Sequence, residues 1–141
     1  MSKLFIYTDG GARGNPGRAA IGVVVKNEKE ELLARLFRKI GEATNNVAEY
    51  QAVIAALEWL KENSQINKFS NQQIIQFFLD SALVVNQLNG LFKVKNGDLR
   101  NLLVQVRQLE QELGGNISYQ LIPREKNWQA DALVNKALDN S

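Results

Sequence analysis

The chain contains no cysteine and no histidine. The first absence removes disulfide frameworks, thiolate nucleophiles and cysteine-ligated zinc or iron–sulfur sites together. The second removes a serine–histidine triad, an imidazole general base and a histidine-held zinc. Any catalysis must therefore run on carboxylates, hydroxyls, amines or a metal held by oxygen. Charge of one sign is scarce too: 17 basic against 15 acidic residues leave a net +2. Proteins that grip nucleic acid by bulk charge are usually far more basic, whereas an enzyme with an acidic pocket and basic rims can be nearly neutral. No apolar run approaches the length of a membrane span. The opening segment, Met1 to Tyr7, lacks a long apolar h-region and a small-residue cleavage site, so it reads as a strand and not as a signal peptide. The expectation is a soluble, cytoplasmic chain with no membrane association.

What is present fits one domain spanning residues 1–141. A globule of that size buries roughly two thirds of the surface its unfolded chain exposes, so folding requires no disulfide or structural metal. Lys3 to Thr8 reads as a buried strand stopped by Gly10-Gly11, and Gly14-Asn15-Pro16-Gly17 is strong turn chemistry. Ala19 to Lys26 reads as a second strand, and the polar Asn27 to Glu30 turns it into a third, Leu32 to Ile40. The period then changes. From Val47 to Glu62, Ala48, Ala52, Ala55, Ala56 and Trp59 recur at helical spacing, with Asn46 as the cap and Glu49 three positions on. Ile74 to Leu79 is a fourth strand. Ser81 to Leu88 and Asp98 to Leu113 read as helices, the latter ended by Gly114-Gly115. Ile117 to Ile122 is a fifth strand, and after Pro123 a last helix runs from Asn127 to Leu138. The order is β-β-β-α-β-α-α-β-α.

Four acids lie beside the ends of apolar elements instead of on solvated faces. Asp9 ends strand one, and Asp80 ends strand four directly after Phe77, Phe78 and Leu79. Glu49 and Asp131 fall in the first turns of two helices. If strands one and four are neighbours, Asp9 and Asp80 project at one level of the sheet, and the helix starts can bring the other two to the same rim. Carboxylates converging without basic partners repel one another. A hard divalent cation relieves that, magnesium taking one or two carboxylates plus waters and phosphate oxygens. Two such ions can activate a water and stabilise the leaving oxygen of a phosphodiester, which needs no histidine. Each acid also has a plainer explanation. Asp9 can form a turn, Glu49 can complete a capping box, Asp80 can cap a helix, and Asp131 can favour a helix dipole. Position alone leaves both explanations standing.

The surrounding residues resemble type 1 ribonuclease H nearly end to end. Tyr7-Thr8-Asp9-Gly10-Gly11 with Gly14-Asn15-Pro16-Gly17 is similar to the family's first strand and glycine-rich turn. Thr44-Asn45-Asn46-Val47-Ala48-Glu49-Tyr50, followed by Ala55-Ala56-Leu57, resembles its second signature. Asp80-Ser81 with Val84, Gln87, Leu88 and Gly90 resembles the third. Pro123-Arg124-Glu125-Lys126-Asn127 leading to Ala130-Asp131 resembles the fourth. The resemblance implies a ribonuclease H-like α/β fold: a mixed five-stranded sheet, its first three strands antiparallel, flanked by helices. It implies two Mg2+ ions, with Mn2+ as a substitute, held by Asp9, Glu49, Asp80 and Asp131. It further implies hydrolysis of the RNA strand of an RNA–DNA hybrid to 3′-hydroxyl and 5′-phosphate ends, by a monomer with no obligate protein partner. Asn15, Thr44, Asn45 and Asn46 then correspond to hybrid contacts. Such short amides and hydroxyls can both donate to and accept from the 2′-hydroxyls that mark RNA, though turn formation and capping would use the same atoms.

Three departures bear on activity. Many relatives carry a histidine in the loop before the last helix; here Arg124 or Lys126 stands there and could attract product phosphate, though neither shuttles protons well at neutral pH. A slower enzyme is expected. The basic helical protrusion of many relatives is reduced to Phe92-Lys93-Val94-Lys95-Asn96-Gly97, which predicts a weaker, more salt-sensitive grip. Ala82 replaces a residue that is usually polar. Trp59 fits the core and Trp128 could stack on a base; neither is counted with the site. Two rival readings remain, a non-catalytic binding module and a DNA-acting nuclease or strand-transfer enzyme of the same fold.

Overall fold

A computed structural model describes residues 3–63, 73–114 and 116–140. Five strands form one sheet in the order β3-β2-β1-β4-β5. β1 (Lys3–Gly14), β2 (Gly17–Asn27) and β3 (Leu32–Ala43) make the expected antiparallel meander. Asn27 shapes its second turn by accepting from the N–H groups of Lys29 and Glu31, both at 2.9 Å. β4 (Ile74–Leu79) joins β1 in parallel, and β5 (Asn116–Leu121) joins β4 likewise. Around the sheet lie α1 (Asn45–Glu62), α2 (Ala82–Leu88), α3 (Gly97–Leu113) and α4 (Trp128–Asp139). A short 3-10 turn, Arg124–Asn127, leads into α4.

Strand alternation divides the core. Leu4, Ile6, Val23, Val25, Ile75 and Phe77 face one side, packed with Tyr50, Val53 and Leu57 of α1 and Leu102 and Val106 of α3. The hydroxyl of the buried Tyr50 donates to Gln87 Oε1 of α2 at 2.8 Å, so its burial strands no polar atom. α4 covers the opposite face, setting Val134, Ala137 and Leu138 against Ala20. Among the described residues no helix is long and apolar enough to cross a membrane.

Several element ends differ from expectation, for identifiable reasons. β1 does not stop at Gly10-Gly11 but pairs with β2 as far as Gly14 opposite Gly17. Gly10 there serves close approach of a helix, not a turn. α1 is capped by Thr44, whose Oγ1 accepts from Val47 N at 3.2 Å, and not by Asn46. Thr44, Asn45 and Asn46 are all competent caps; Asn45 is committed elsewhere, and the start falls two residues earlier than expected. Ser81, not Asp80, caps α2. Asn96 caps α3 and Gly114 ends it in the left-handed conformation at φ 67°; Gly115 lies outside the described residues.

Candidate active site

The sheet positions the acids by where its strands end. β4 ends at Leu79 while β1 runs on, so Asp80 stands just past one strand end beside the continuing stretch that carries Asp9. Glu49 reaches the same place from the first turns of α1, and its Oε1 accepts from the Gly10 N–H at 3.0 Å. Oxygen atoms of Asp9, Glu49 and Asp80 all lie within 4.8 Å of one another. Asp131, in the first turn of α4, lines the same cleft of about 370 Å³ and has its Oδ2 held by Asn135 Nδ2 at 3.4 Å.

Two glycines set these approaches. A Cβ on Gly10 would overlap the carbonyl of Ala48, and a Cβ on Gly22 would overlap the carbonyl of Ala130. Gly22 is the cross-strand partner of Asp9. Each missing side chain therefore admits the backbone one residue before a site acid, Glu49 on one face and Asp131 on the other.

The electrostatics follow from crowding. Asp9 is 7% exposed and Glu49 5%. Burial pushes the Asp9 carboxyl up to about 7; the charges of Asp80 and Asp131 add to the rise, while a hydrogen bond from Glu49 opposes it. Burial likewise raises Glu49 well above the usual range, with the hydrogen bond and charge of Asp9 adding and the Gly10 N–H opposing. Without a cation the pair is thus set to retain a proton near neutrality. Among the described residues no hydrogen-bond donor reaches the buried Glu49 Oε2. The donor set fits a hard divalent cation: carboxylate oxygens that repel one another, one of them buried with no donor among the described residues.

The remaining expected residues divide. Asn15 Oδ1 accepts from Asn45 N at 3.0 Å, and Asn45 Oδ1 accepts from Ala12 N at 2.8 Å, so both carbonyl oxygens brace the β1–β2 turn against α1. Both residues are exposed, and among the described residues neither amide nitrogen has an acceptor. Asn45 and Asn46 line the cleft, while the Thr44 hydroxyl is engaged in its cap. Arg124 lines the cleft; Lys126 is exposed and is not part of its lining. Lys93 and Lys95 are likewise exposed away from it. Trp59 packs against the core as expected, and Trp128 is 63% exposed.

Sequence reasoning left Asn127 out of the site. It is 1% exposed and donates through Nδ2 to Asp80 Oδ2 at 3.1 Å and to the Thr8 carbonyl at 2.9 Å. An asparagine before a helix reads as a cap, yet here it makes no capping bond. Asn135 carried a usable signal, since it stands four residues after Asp131 on one helix face.

Comparison with known proteins agrees with this geometry. Residues 7–137 match the family described as reverse transcriptase-like. The crystal structure of the RNase H1 of Halobacterium salinarum superposes with a TM-score of 0.87 at 39% identity, covering 99% of each chain. The chain belongs to the type 1 ribonuclease H family. A further ribonuclease H1, LC11-RNase H1 in complex with an RNA/DNA hybrid, is 45% identical, with a TM-score of 0.90 and 96% of each chain covered. A bifunctional protein of Mycobacterium tuberculosis is 41% identical over 138 residues, which are 97% of this chain but 36% of that protein. The chain thus spans little more than a third of that relative.

Proposed function

We propose that residues 1–141 act as one ribonuclease H domain that hydrolyses the RNA strand of RNA–DNA hybrids in the cytoplasm, leaving 3′-hydroxyl and 5′-phosphate ends. The observation that carries this reading is the convergence of Asp9, Glu49 and Asp80 within 4.8 Å, with no donor among the described residues reaching Glu49 Oε2. These three acids together with Asp131 would hold two magnesium ions, or manganese in their place. Bound there, the ions supply activation of the attacking water and stabilisation of the leaving oxygen. The chain's own residues do the rest. Asn15, Asn45 and Asn46 present amide donors toward the minor groove and backbone of the hybrid, and Thr44 fixes the start of the helix that carries two of them. A relative 45% identical that is seen with an RNA/DNA hybrid supports that substrate.

The test is cleavage of an end-labelled hybrid beside matched DNA–DNA and RNA–RNA duplexes, with magnesium, manganese or chelator. Metal-dependent cutting confined to the hybrid's RNA strand is expected. Cutting of the DNA duplex at a similar rate, or binding without any cutting, would replace this reading with one of its two rivals.

Arg124, which lines the cleft, would take the product phosphate. Arg124→Ala is expected to lower kcat/KM about tenfold at moderate salt, the scale of one charge-assisted hydrogen bond. Lys126→Ala should stay within about twofold, since it shares only diffuse screening of the phosphates. Steady-state kinetics at two salt concentrations separates the two.

A further inference from the structure

The Asn127 side chain binds one of the four acids directly and the backbone next to a second. Its Nδ2 carries two hydrogens and both are used: one on Asp80 Oδ2 at 3.1 Å, the other on the Thr8 carbonyl at 2.9 Å. Thr8 immediately precedes Asp9 on β1, Asp80 follows β4, and Asp131 lies one helical turn after Asn127 itself. The amide orientation is fixed by its surroundings. Turned over, its oxygen would face a carbonyl and a carboxylate, two acceptors with no proton between them.

We propose that Asn127 is a positioning residue that fixes the Asp80 carboxylate, and with it the β1–β4 strand ends, in the arrangement that binds the catalytic metal. The inference rests on the metal-dependent reading of the four acids. Asp80 needs such a partner more than Asp9 or Glu49 does. It is only half-buried, it stands in the bend between β4 and α2, and its neighbours Asp9 and Glu49 repel it. A side chain in that position rotates away from like charges unless something holds it.

The chemistry of the clamp suits the task. A lysine or arginine in this place would hold Asp80 more firmly, but as an ion pair competing with the cation for the same carboxylate. A neutral amide contributes a directed donor and no net charge, so the carboxylate keeps its full charge for the metal. The Asn127 Oδ1 is buried and has no partner among the described residues, so the side chain acts through its donors alone. Burial of an amide with one idle acceptor costs stability, which an aliphatic residue of similar size would avoid.

The experiment titrates Mn2+ into the folded protein without substrate, by calorimetry, comparing wild type with Asn127→Ala. Metal affinity is expected to fall about 10–100-fold, the range seen when a partner of a ligating side chain is removed. In hybrid cleavage kcat falls while KM for the hybrid is little changed, and raising the metal concentration restores much of the rate. A purely structural role would lower the melting temperature and leave the Mn2+ affinity of the folded fraction at the wild-type value; that result overturns the proposal. Should Asn127→Ala not fold, Asn127→Ser keeps one hydroxyl donor and carries the same titration, with an intermediate loss expected and unchanged affinity again overturning it. The outcomes also separate the two readings. Wild type that binds Mn2+ but cuts no hybrid defeats the proposed function and leaves the Asn127 comparison readable. Wild type that cuts, beside a variant of unchanged affinity, defeats only the role of Asn127.

Discussion

Asp9→Asn is expected to reduce hybrid cleavage by about 10³-fold or more while raising the melting temperature of the metal-free protein at pH 8. The two effects share one cause. Asp9 sits buried among Glu49, Asp80 and Asp131, and among the described residues it makes no ion pair. Its carboxylate is useful only to a cation, and a neutral amide oxygen binds a hard divalent ion far more weakly. Loss of a directly ligating group should exceed the 10–100-fold typical of outer partners, and groups that act as a unit fail together.

The stability effect runs the other way because the fold carries a charge it would be better without. The Asp9 carboxyl is raised from 3.8 to about 7, chiefly by burial. A carboxyl that holds its proton more tightly folded than unfolded favours folding at low pH. That contribution is fully present below about 4 and is lost as the pH rises through about 7. At pH 8 the wild-type protein without metal therefore bears the full penalty, and Asp9→Asn removes it. A gain of about 5 °C is expected, the shift that one or two kcal/mol produces in a domain of this size. At pH 5 the gain should be smaller, and below about pH 4 it should vanish. Magnesium should stabilise wild type more than the variant, because only wild type retains the complete donor set. Thermal melts at both pH values, in chelator and in magnesium, check each arm. A variant that melts below wild type at pH 8 in chelator would mean that Asp9 is not under repulsion, and the metal site would lose its physical basis.

Much of this was legible in the sequence, and the part that was not shares a character. Element types came through because composition and period are local properties: a short β-branched apolar run in Ala19 to Lys26, three- and four-residue spacing in Val47 to Glu62. The pairing of β1 with β4, which sets Asp9 beside Asp80, is one that connection rules allowed but did not require. What stayed hidden depends on partners distant in the chain. Asn127 looks like a cap until its bond to Thr8, 119 residues away, is known. Asn15 and Asn45 look like free hydrogen-bonding tips, yet their carbonyl oxygens tie the glycine-rich turn to α1. Thr44 reads as a substrate contact, and its Oγ1 also caps a helix while its proton remains to donate. In each case one residue type serves capping, bracing and recognition equally well, so only the position of the other partner decides.

Gly10 and Gly11 show the same limit, and they yield the sharpest paired test. Read locally, two successive glycines end a strand. In the structure both lie inside β1, paired with Ile21 and Ala20, and their Cα atoms face opposite sides of the sheet. A Cβ on Gly10 would overlap the backbone of Ala48, whereas one on Gly11 would meet only Val134 Cγ1 at 3.6 Å, an ordinary contact. Gly10→Ala is therefore expected to destabilise the protein by about 2–3 kcal/mol, since a backbone carbonyl cannot rotate aside as a side chain can. It should also lower metal affinity and cleavage in the fraction that folds. The helix forced away is the one that carries Glu49, and a displacement of about 1 Å at a reacting centre can cost about 10²-fold. Gly11→Ala should be neutral or slightly stabilising, because alanine loses less backbone entropy than glycine in a strand. Urea unfolding and Mn2+ titration of the two single variants read both effects. Equal tolerance at the two positions would show that α1 is not seated on Gly10, and the placement of Glu49 beside Asp9 would need another explanation.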